Sequence, residues 1–177
     1  MRNHSSSEIT MKTALYSSVL ASLFAVASCT APSVPSWKTM TLIQAKPVLV
    51  EIADEDGARE HGERMAFEAR LSEPSGKAVG QLLGIHTIVD LPGEDGVGNQ
   101  AIEERFTTMA VVFEDGDEIL IEGANVYPVD QKIMQEGVPQ VRAIIGGTGK
   151  YKGIRGEIKT VRNADETYSH TLDYRLD

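Results

Sequence analysis

Short segments in which apolar and polar residues alternate recur along the chain from about residue 46 to its end, each closed by Gly, Pro, Asn or Asp. A period of two residues is typical of a half-buried β-strand, and the 3.6-residue period of an amphipathic helix is hard to find in this region. The pattern predicts eight strands, near Lys46–Asp54, Arg64–Leu71, Val79–Asp90, Ala101–Glu114, Glu118–Tyr127, Gln140–Gly146, Gly156–Asn163 and Thr167–Leu176.

The turns between these segments favour antiparallel hairpins. Asp115-Gly116 separates two strand-like runs, and residues of this type accept the positive φ angles of a tight hairpin turn. Asn163-Ala-Asp165 precedes the last run in the same way. Eight strands joined by tight turns predict an all-β fold, an antiparallel barrel or a sandwich. An eight-stranded barrel encloses either a packed core or one small ligand, and the strand pattern leaves both open.

The N-terminal segment has the features of an export signal. Residues 14–28 are uncharged, and this run is too short to span a bilayer but suits a signal-peptide core. It ends at Cys29, the single cysteine, in a pattern similar to the lipobox of bacterial lipoproteins. We therefore expect residues 1–29 to be a signal with a lipidated Cys29, residues 30–45 a flexible tether, and residues 46–177 the barrel domain.

Two locations follow from the N-terminal segment. Lipidation of Cys29 predicts a periplasmic or outer-membrane lipoprotein that is held to the membrane by its lipid anchor. Ala25-Val26-Ala27 also fits ordinary signal cleavage, which predicts a soluble secreted protein instead. A lone cysteine provides no disulfide framework, so the exported domain depends on its core for stability.

Composition narrows the class of partner. Of the 177 residues 24% are charged and 41% hydrophobic, as in an ordinary soluble domain, and the net charge is −9. Lys and Arg form no stripe that could neutralise phosphates, so nucleic acid is not an expected partner. We expect the partner to be a hydrophobic small molecule.

The segment Ala143–Glu157, AIIGGTGKYKGIRGE, is the most specific motif of the chain. It resembles the GGTGxFxxARG signature of plant dirigent proteins and the matching stretch of allene oxide cyclases. Similar likenesses occur at Val50–Asp56, Val79–Ile88 and Phe113–Gly123, so the resemblance spans about residues 46–177. It implies a closed eight-stranded antiparallel barrel with a pocket for a hydrophobic small molecule, no cofactor, and a homotrimer.

Glu51 is the candidate catalytic residue. It interrupts the apolar run PVLVEIA, where the resemblance to allene oxide cyclases places a glutamate on the first barrel strand. A carboxylate beside an apolar ligand would stabilise a developing cation or act as a base with a raised pKa. The alternative is a glutamate that faces solvent or forms an ion pair with a neighbouring strand. The cyclases' epoxide-holding asparagine corresponds to Ala53 here, which argues against the same substrate.

Four further residues are candidate ligand-binding residues. His86 interrupts the apolar run LLGIHTIV, and Asn125 and Tyr127 continue the face that carries Ile119 and Ile121. Each has an alternative role, His86 as a satisfied core residue and the other two as a strand end that meets a loop.

Arg155 corresponds to the arginine of the dirigent signature, which the resemblance places near the pocket. Strand alternation indicates the opposite, because Arg155, Glu157 and Lys159 share one face that looks solvated unless a glycine bulge changes the parity.

No metal site is expected. His4, His61, His86 and His170 lack the spacing of metal ligands, and the acidic turns near residues 55 and 116 lack the spacing of a calcium loop.

Three functions remain open at this level. The first is a cofactor-free cyclase or isomerase that folds a reactive hydrophobic substrate. The second is a dirigent-like protein that steers coupling performed by another enzyme. The third is an envelope lipoprotein that carries a hydrophobic molecule without chemistry. Because barrels accommodate all three, the fold alone does not choose among them.

Overall fold

The computed structural model describes residues 36–52, 61–90, 102–128 and 133–177. Nine β-strands make up this part of the chain, namely β1 (Lys38–Gln44), β2 (Val48–Ile52), β3 (Arg64–Ser72), β4 (Ala78–Asp90), β5 (Ile102–Phe113), β6 (Glu118–Pro128), β7 (Gln140–Gly147), β8 (Ile154–Arg162) and β9 (Tyr168–Leu176). One 3₁₀ turn, Gly149–Tyr151, lies between β7 and β8. No helix among the described residues has the length and apolar character needed to cross a bilayer.

The strands form one antiparallel sheet that closes on itself. From β2 to β9 each strand pairs with the next. The whole of β1 then pairs with β9. The end of β1 then pairs with β3, where Ile43 and Gln44 lie opposite Ser72 and Leu71. Eight strands therefore close the barrel, and β2 is an extra strand that continues along β3. The predicted all-β antiparallel barrel is confirmed.

The first strand corrects the predicted domain boundary. Residues 30–45 are predicted as a tether, yet Lys38–Gln44 forms β1 and joins the two edges of the barrel. Leu42 and Gln44 point inward while Thr41 is exposed, so the period of two is present in this segment. The barrel begins no later than Lys38, and Lys46–Asp54, predicted as the first strand, corresponds to β2.

Strand alternation sorts the side chains between the interior and the surface. In β6, Ile119, Ile121, Asn125 and Tyr127 are buried, whereas Leu120 between the first two is partly exposed. The hairpin before β6 turns at Asp115-Gly116 as predicted, with Gly116 at a φ of 86°. The final hairpin at Asn163–Thr167 also forms as predicted, with a hydrogen bond from the Asn163 amide to the Thr167 carbonyl oxygen.

The glycine-rich signature segment closes one end of the barrel. The Thr148 hydroxyl accepts a hydrogen bond from the Glu118 amide, and the Lys150 amide donates to a carboxylate oxygen of Asp117. Gly149 has a φ of 52°, and a Cβ at this position would collide with the Asp117 carboxylate. The segment therefore needs glycine because it is folded tightly against the β5–β6 turn.

The same end of the barrel has an apolar interior, which we call the apolar end. Its buried core contains Leu42, Phe67, Leu71, Leu82, Met109, Val111, Ile119, Ile121, Ile144, Tyr151, Ile154, Ile158 and Leu172. Tyr151 of the signature segment stacks on Phe113 with 4.8 Å between ring centroids. Burial of each of these large apolar side chains contributes roughly 1.5–3 kcal/mol, so this end supplies most of the hydrophobic stabilisation.

Candidate functional site

The other half of the interior is polar, and we call it the polar end. Its buried polar side chains are Gln44, His86, Glu103, Arg105, Thr107, Asn125, Arg142, Thr160 and His170. They come from seven strands, and each of these strands carries its polar residue one or two inward positions beyond an apolar one. In β5, for example, the inward sequence runs Glu103, Arg105, Thr107 and then Met109. Buried polar groups are costly unless they are hydrogen-bonded, so their contacts determine what this end can do.

One hydrogen-bonded group is centred on Thr107. Its hydroxyl lies 2.6 Å from Nδ1 of His86 and accepts a 2.6 Å hydrogen bond from the Asn125 amide. Because the hydroxyl accepts from Asn125, its own proton is available for Nδ1 of His86. The imidazole proton then lies on Nε2, which is 3.4 Å from the Tyr127 hydroxyl. Three strands are joined in this way.

Aromatic packing fixes the His86 ring. Phe67 stacks on it with 4.7 Å between centroids, and Gly84 makes room because a Cβ there would enter the Phe67 ring. The Arg105 guanidinium lies 3.9 Å above the centre of the Tyr127 ring and forms an ion pair with Glu103. Both rings are therefore held before any ligand arrives.

A second hydrogen-bonded chain runs from Arg142 to Gln44. Arg142 donates to the Thr160 hydroxyl at 3.2 Å, and that hydroxyl lies 2.9 Å from Nδ1 of His170. Nε2 of His170 donates to the Gln44 side-chain oxygen at 2.8 Å. Because the Thr160 hydroxyl accepts from Arg142, its own proton is available for Nδ1 of His170, and Nε2 carries the proton that the Gln44 oxygen accepts. The two groups thus share one design, a threonine hydroxyl that orients a buried histidine.

Burial sets the protonation of both histidines. The pKa of His86 is lowered to about 3 by burial and by the positive charges of Arg105 and Arg142. The pKa of His170 is lowered to about 3 by burial and by Arg142. Both rings therefore stay neutral at ordinary pH. Burial also raises the pKa of Tyr127 above its usual value, so its hydroxyl remains a hydrogen-bond donor.

A cavity of about 40 Å³ lies among these side chains. His86, Tyr127, Arg142, Thr160 and His170 provide its polar lining. The apolar lining comes from Pro47, Leu49, Phe67, Met109, Ile133, Met134 and Tyr168, together with the stem of Gln44. An apolar wall with a few convergent polar groups is the usual composition of a small-molecule site.

The structure brings three predicted site residues together. His86, Asn125 and Tyr127 are buried in one hydrogen-bonded group, and two of them line the cavity. Arg155 lies elsewhere, exposed on the outer face of β8, where its guanidinium donates to the carbonyl oxygen of Ile154. Arg155 therefore lies on the solvent-exposed face that strand alternation predicts.

The side chains of the two remaining predicted residues, Glu51 and Cys29, lie outside the part of the chain that the structure describes. The backbone of Glu51 lies in β2 opposite Met65, but its side chain is outside the described part, so the catalytic role remains a prediction. Cys29 lies outside the described residues altogether. In the described part of the chain, no group of three or more His, Cys, Asp or Glu residues is arranged to hold a metal ion.

Sequence reasoning missed Thr107, Arg142, Thr160 and His170. The sequence did contain a signal that two of them point inward. Strand alternation places Arg142 on the face of Ile144 and Thr160 on the face of Ile158. The signature drew attention to Arg155, which lies on the outer face of β8, while the arginine that lines the cavity is Arg142 on the preceding strand.

The chain matches no protein-family profile and no curated protein sequence. It does resemble solved structures, each at low sequence identity. A pyocyanin demethylase is 20% identical with a TM-score of 0.55, over 77% of this chain and 99% of that one. A pterocarpan synthase dirigent protein is 20% identical with a TM-score of 0.56, over 81% of this chain and 86% of that one. A Diels-Alderase from Streptomyces koyangensis is 17% identical with a TM-score of 0.57, over 82% and 71%.

These likenesses concern the fold, because identities near 20% are too low to carry a function from one protein to another. They agree with the likeness between the signature segment and plant dirigent proteins. The chain therefore has the closed β-barrel fold of dirigent-like proteins and barrel cyclases.

Proposed function

We propose that the polar end of the barrel binds a hydrophobic small molecule and promotes its cyclisation or isomerisation. The observation that carries the proposal is the cavity itself, in which Phe67, Met109 and Met134 face the hydroxyl of Tyr127 and the guanidinium of Arg142. Apolar walls would restrict the conformation of the substrate, and restriction alone lowers the barrier to ring closure by removing entropy before the reaction.

The polar groups would act by electrostatic stabilisation. Tyr127 and Arg142 are buried hydrogen-bond donors, and donors held in a buried site stabilise negative charge that develops on a substrate oxygen. His86 and His170, with pKa values of about 3, orient the threonine hydroxyls and do not exchange protons near neutral pH. Cyclisation and isomerisation rearrange bonds within one molecule, so the reaction balances without a second reactant.

The fold comparison supports this choice of class. The similar structures include a Diels-Alderase and a dirigent protein named as a pterocarpan synthase, and these names describe proteins that form rings. The second candidate is a dirigent-like protein that binds and steers without chemistry. The low pKa of both cavity histidines favours it, because imidazoles of such low basicity are poor proton acceptors.

One experiment separates the two functions. The purified domain is incubated with a metabolite and lipid extract, and retained compounds are identified by native mass spectrometry. A cyclase or isomerase releases a product of unchanged mass and altered chromatographic retention, whereas a steering protein releases the compound unchanged. Tyr127→Phe should slow conversion and Arg155→Ala should not, because only the former lines the cavity. If no compound is retained, the proposed function is wrong.

Export and assembly complete the proposal. If Cys29 carries a lipid anchor, Cys29→Ser should move the protein from the membrane to the soluble fraction.

A homotrimer would cover the apolar side chains exposed on the outer face, which include Val48, Val50 and Ile85, around a groove of about 480 Å³. Light scattering measures the mass, and Ile85→Glu should lower it.

A further inference from the structure

Arg142 is a buried cation without an acidic partner in the described part of the chain. Its side chain is 4% exposed, and no described carboxylate lies within 4.0 Å of its nitrogens. Arg105, the other arginine of the polar end, forms an ion pair with Glu103. Burial lowers the pKa of Arg142, with Tyr127 opposing the shift. A buried charge that lacks its counter-charge is destabilising, so a protein that keeps one has another use for it.

The contacts of the guanidinium leave one edge available. One NH2 group donates to Thr160 at 3.2 Å and the other to Gln140 at 3.3 Å, while Nε–H has no partner among the described residues. Nε–H and the N–H beside it form the edge that matches the two oxygens of a carboxylate. A single phenolate or enolate oxygen would use only one of these donors.

The surroundings of Arg142 make room for such a group. A Cβ at Gly123 would lie 3.3 Å from both Cβ and Cγ of Arg142, so the glycine leaves space for the arginine stem. The cavity of about 40 Å³ corresponds to roughly three water-sized spheres, the size of a carboxylate and less than a phosphate needs. The hydrocarbon part of the same molecule would lie against the apolar side chains of Leu49, Phe67 and Met134, which would have to move apart because the cavity has room only for the carboxylate.

We propose that Arg142 binds the carboxylate of the ligand, so that the molecule accommodated by the polar end is a hydrophobic organic acid. This inference rests on the proposed function and adds the substrate class. The carboxylate would complete an ion pair that the described part of the chain leaves half formed, and it would fix the orientation in which the hydrocarbon part enters the barrel.

Matched probes test the assignment. The probes are 4-phenylbutyrate and octanoate, each paired with its neutral amide, 4-phenylbutyramide and octanamide. Binding is followed through the ¹³C-labelled methyl signals of Met109 and Met134, which line the cavity. The variants are Arg142→Met and Arg142→Gln, and the control is Arg155→Met on the outer face. The second Arg142 variant covers the case in which the first does not fold.

The unaltered protein should bind each acid roughly tenfold to a hundredfold more tightly than its amide, the range expected for a charge-assisted hydrogen-bonded pair. Either Arg142 variant should lose this preference and keep its affinity for the amide, while Arg155→Met should retain both. Equal binding of acid and amide, or a preference that survives both Arg142 substitutions, would overturn the assignment but leave small-molecule binding intact. If no probe shifts Met109 or Met134, the assignment and the proposed function both fail.

Discussion

The two ends of the barrel interior are built from the same strands and are filled in opposite ways. At the apolar end, Ile119, Ile121, Ile154 and Leu172 are fully buried and belong to the apolar core cluster. At the polar end, the same strands continue with Asn125, Tyr127, Thr160 and His170 at equivalent inward positions. The change occurs within one or two inward residues on each strand, because the pleat repeats every two residues.

The difference indicates that the two ends of the interior have different roles. The apolar end gains its stability from side-chain packing, and the signature segment closes it tightly through Thr148, Lys150 and Tyr151. The polar end buries two arginines and two neutral histidines, and their hydrogen bonds return only part of the desolvation cost. A barrel filled with apolar residues throughout would be more stable, and this cost supports the ligand binding proposed for the polar end.

The largest effect is expected at the apolar end. Ile158 is fully buried, and Ile158→Ala should lower the free energy of unfolding by about 2–5 kcal/mol, because it removes apolar contacts and leaves a cavity. Urea denaturation measures the change, with an unaltered m-value as evidence that the native fold is retained. A loss below 1 kcal/mol would mean that this end is not the main source of stability.

A smaller loss is expected two residues further along the same strand. Thr160→Val preserves shape but removes the hydroxyl that accepts from Arg142 and contacts Nδ1 of His170. Two buried polar groups then lose a partner, and the expected cost is about 1–3 kcal/mol. Ligand affinity should fall in this variant and stay unchanged in Ile158→Ala, measured with the same bound compound. The reverse result would contradict the division between the ends.

The dependence of stability on pH should come from the polar end. The pKa values of His86 and His170 lie near 3 in the folded protein and near 6.5 when exposed, so the unfolded chain binds more protons between these values. Stability is therefore complete above pH 6.5 and is lost as the pH falls toward 3, by about 1.4 kcal/mol per pH unit for each histidine. His170→Gln should roughly halve this slope, and Ile158→Ala should leave it unchanged.

Exposed carboxylates do not obscure this measurement. Hydrogen bonds to Lys150, Thr167 and Lys46 lower the pKa values of Asp115, Asp165 and Glu166, whose contributions are lost only as the pH falls below about 4.5. The interval from pH 6.5 to 4.5 thus reports on the histidines. A flat stability curve across this interval would show that the two rings are not buried in neutral form.

The smallest effect is expected outside both ends. Arg155 is exposed on the outer face, and Arg155→Ala should change the free energy of unfolding by no more than about 0.5 kcal/mol. Ligand binding should also be unchanged, because the side chain does not line the cavity. A clear loss of ligand binding would restore the pocket role that its place in the signature suggested.

Much of the fold was accessible from the sequence because strands and turns are encoded locally. Alternation and turn residues predicted the strands that became β2 to β9, and Asp115-Gly116 predicted its hairpin. The glycine signature predicted the barrel. β1 was missed because Lys38–Gln44 continues a run rich in Pro, Ser and Thr that is typical of a tether, and its place in the sheet depends on pairing with β9 at the far end of the chain.

The candidate site was only partly accessible for a related reason. Local alternation determined the faces of Asn125, Tyr127 and Arg155, since the period of two needs no knowledge of distant strands. Alternation did not determine which side chains of other strands these residues contact. Gln44 contacts His170 across 126 positions, and Asn125 meets Thr107 across 18, so only closure of the barrel brought these groups together. A strand pattern fixes which way a side chain points, whereas register and closure decide what it meets.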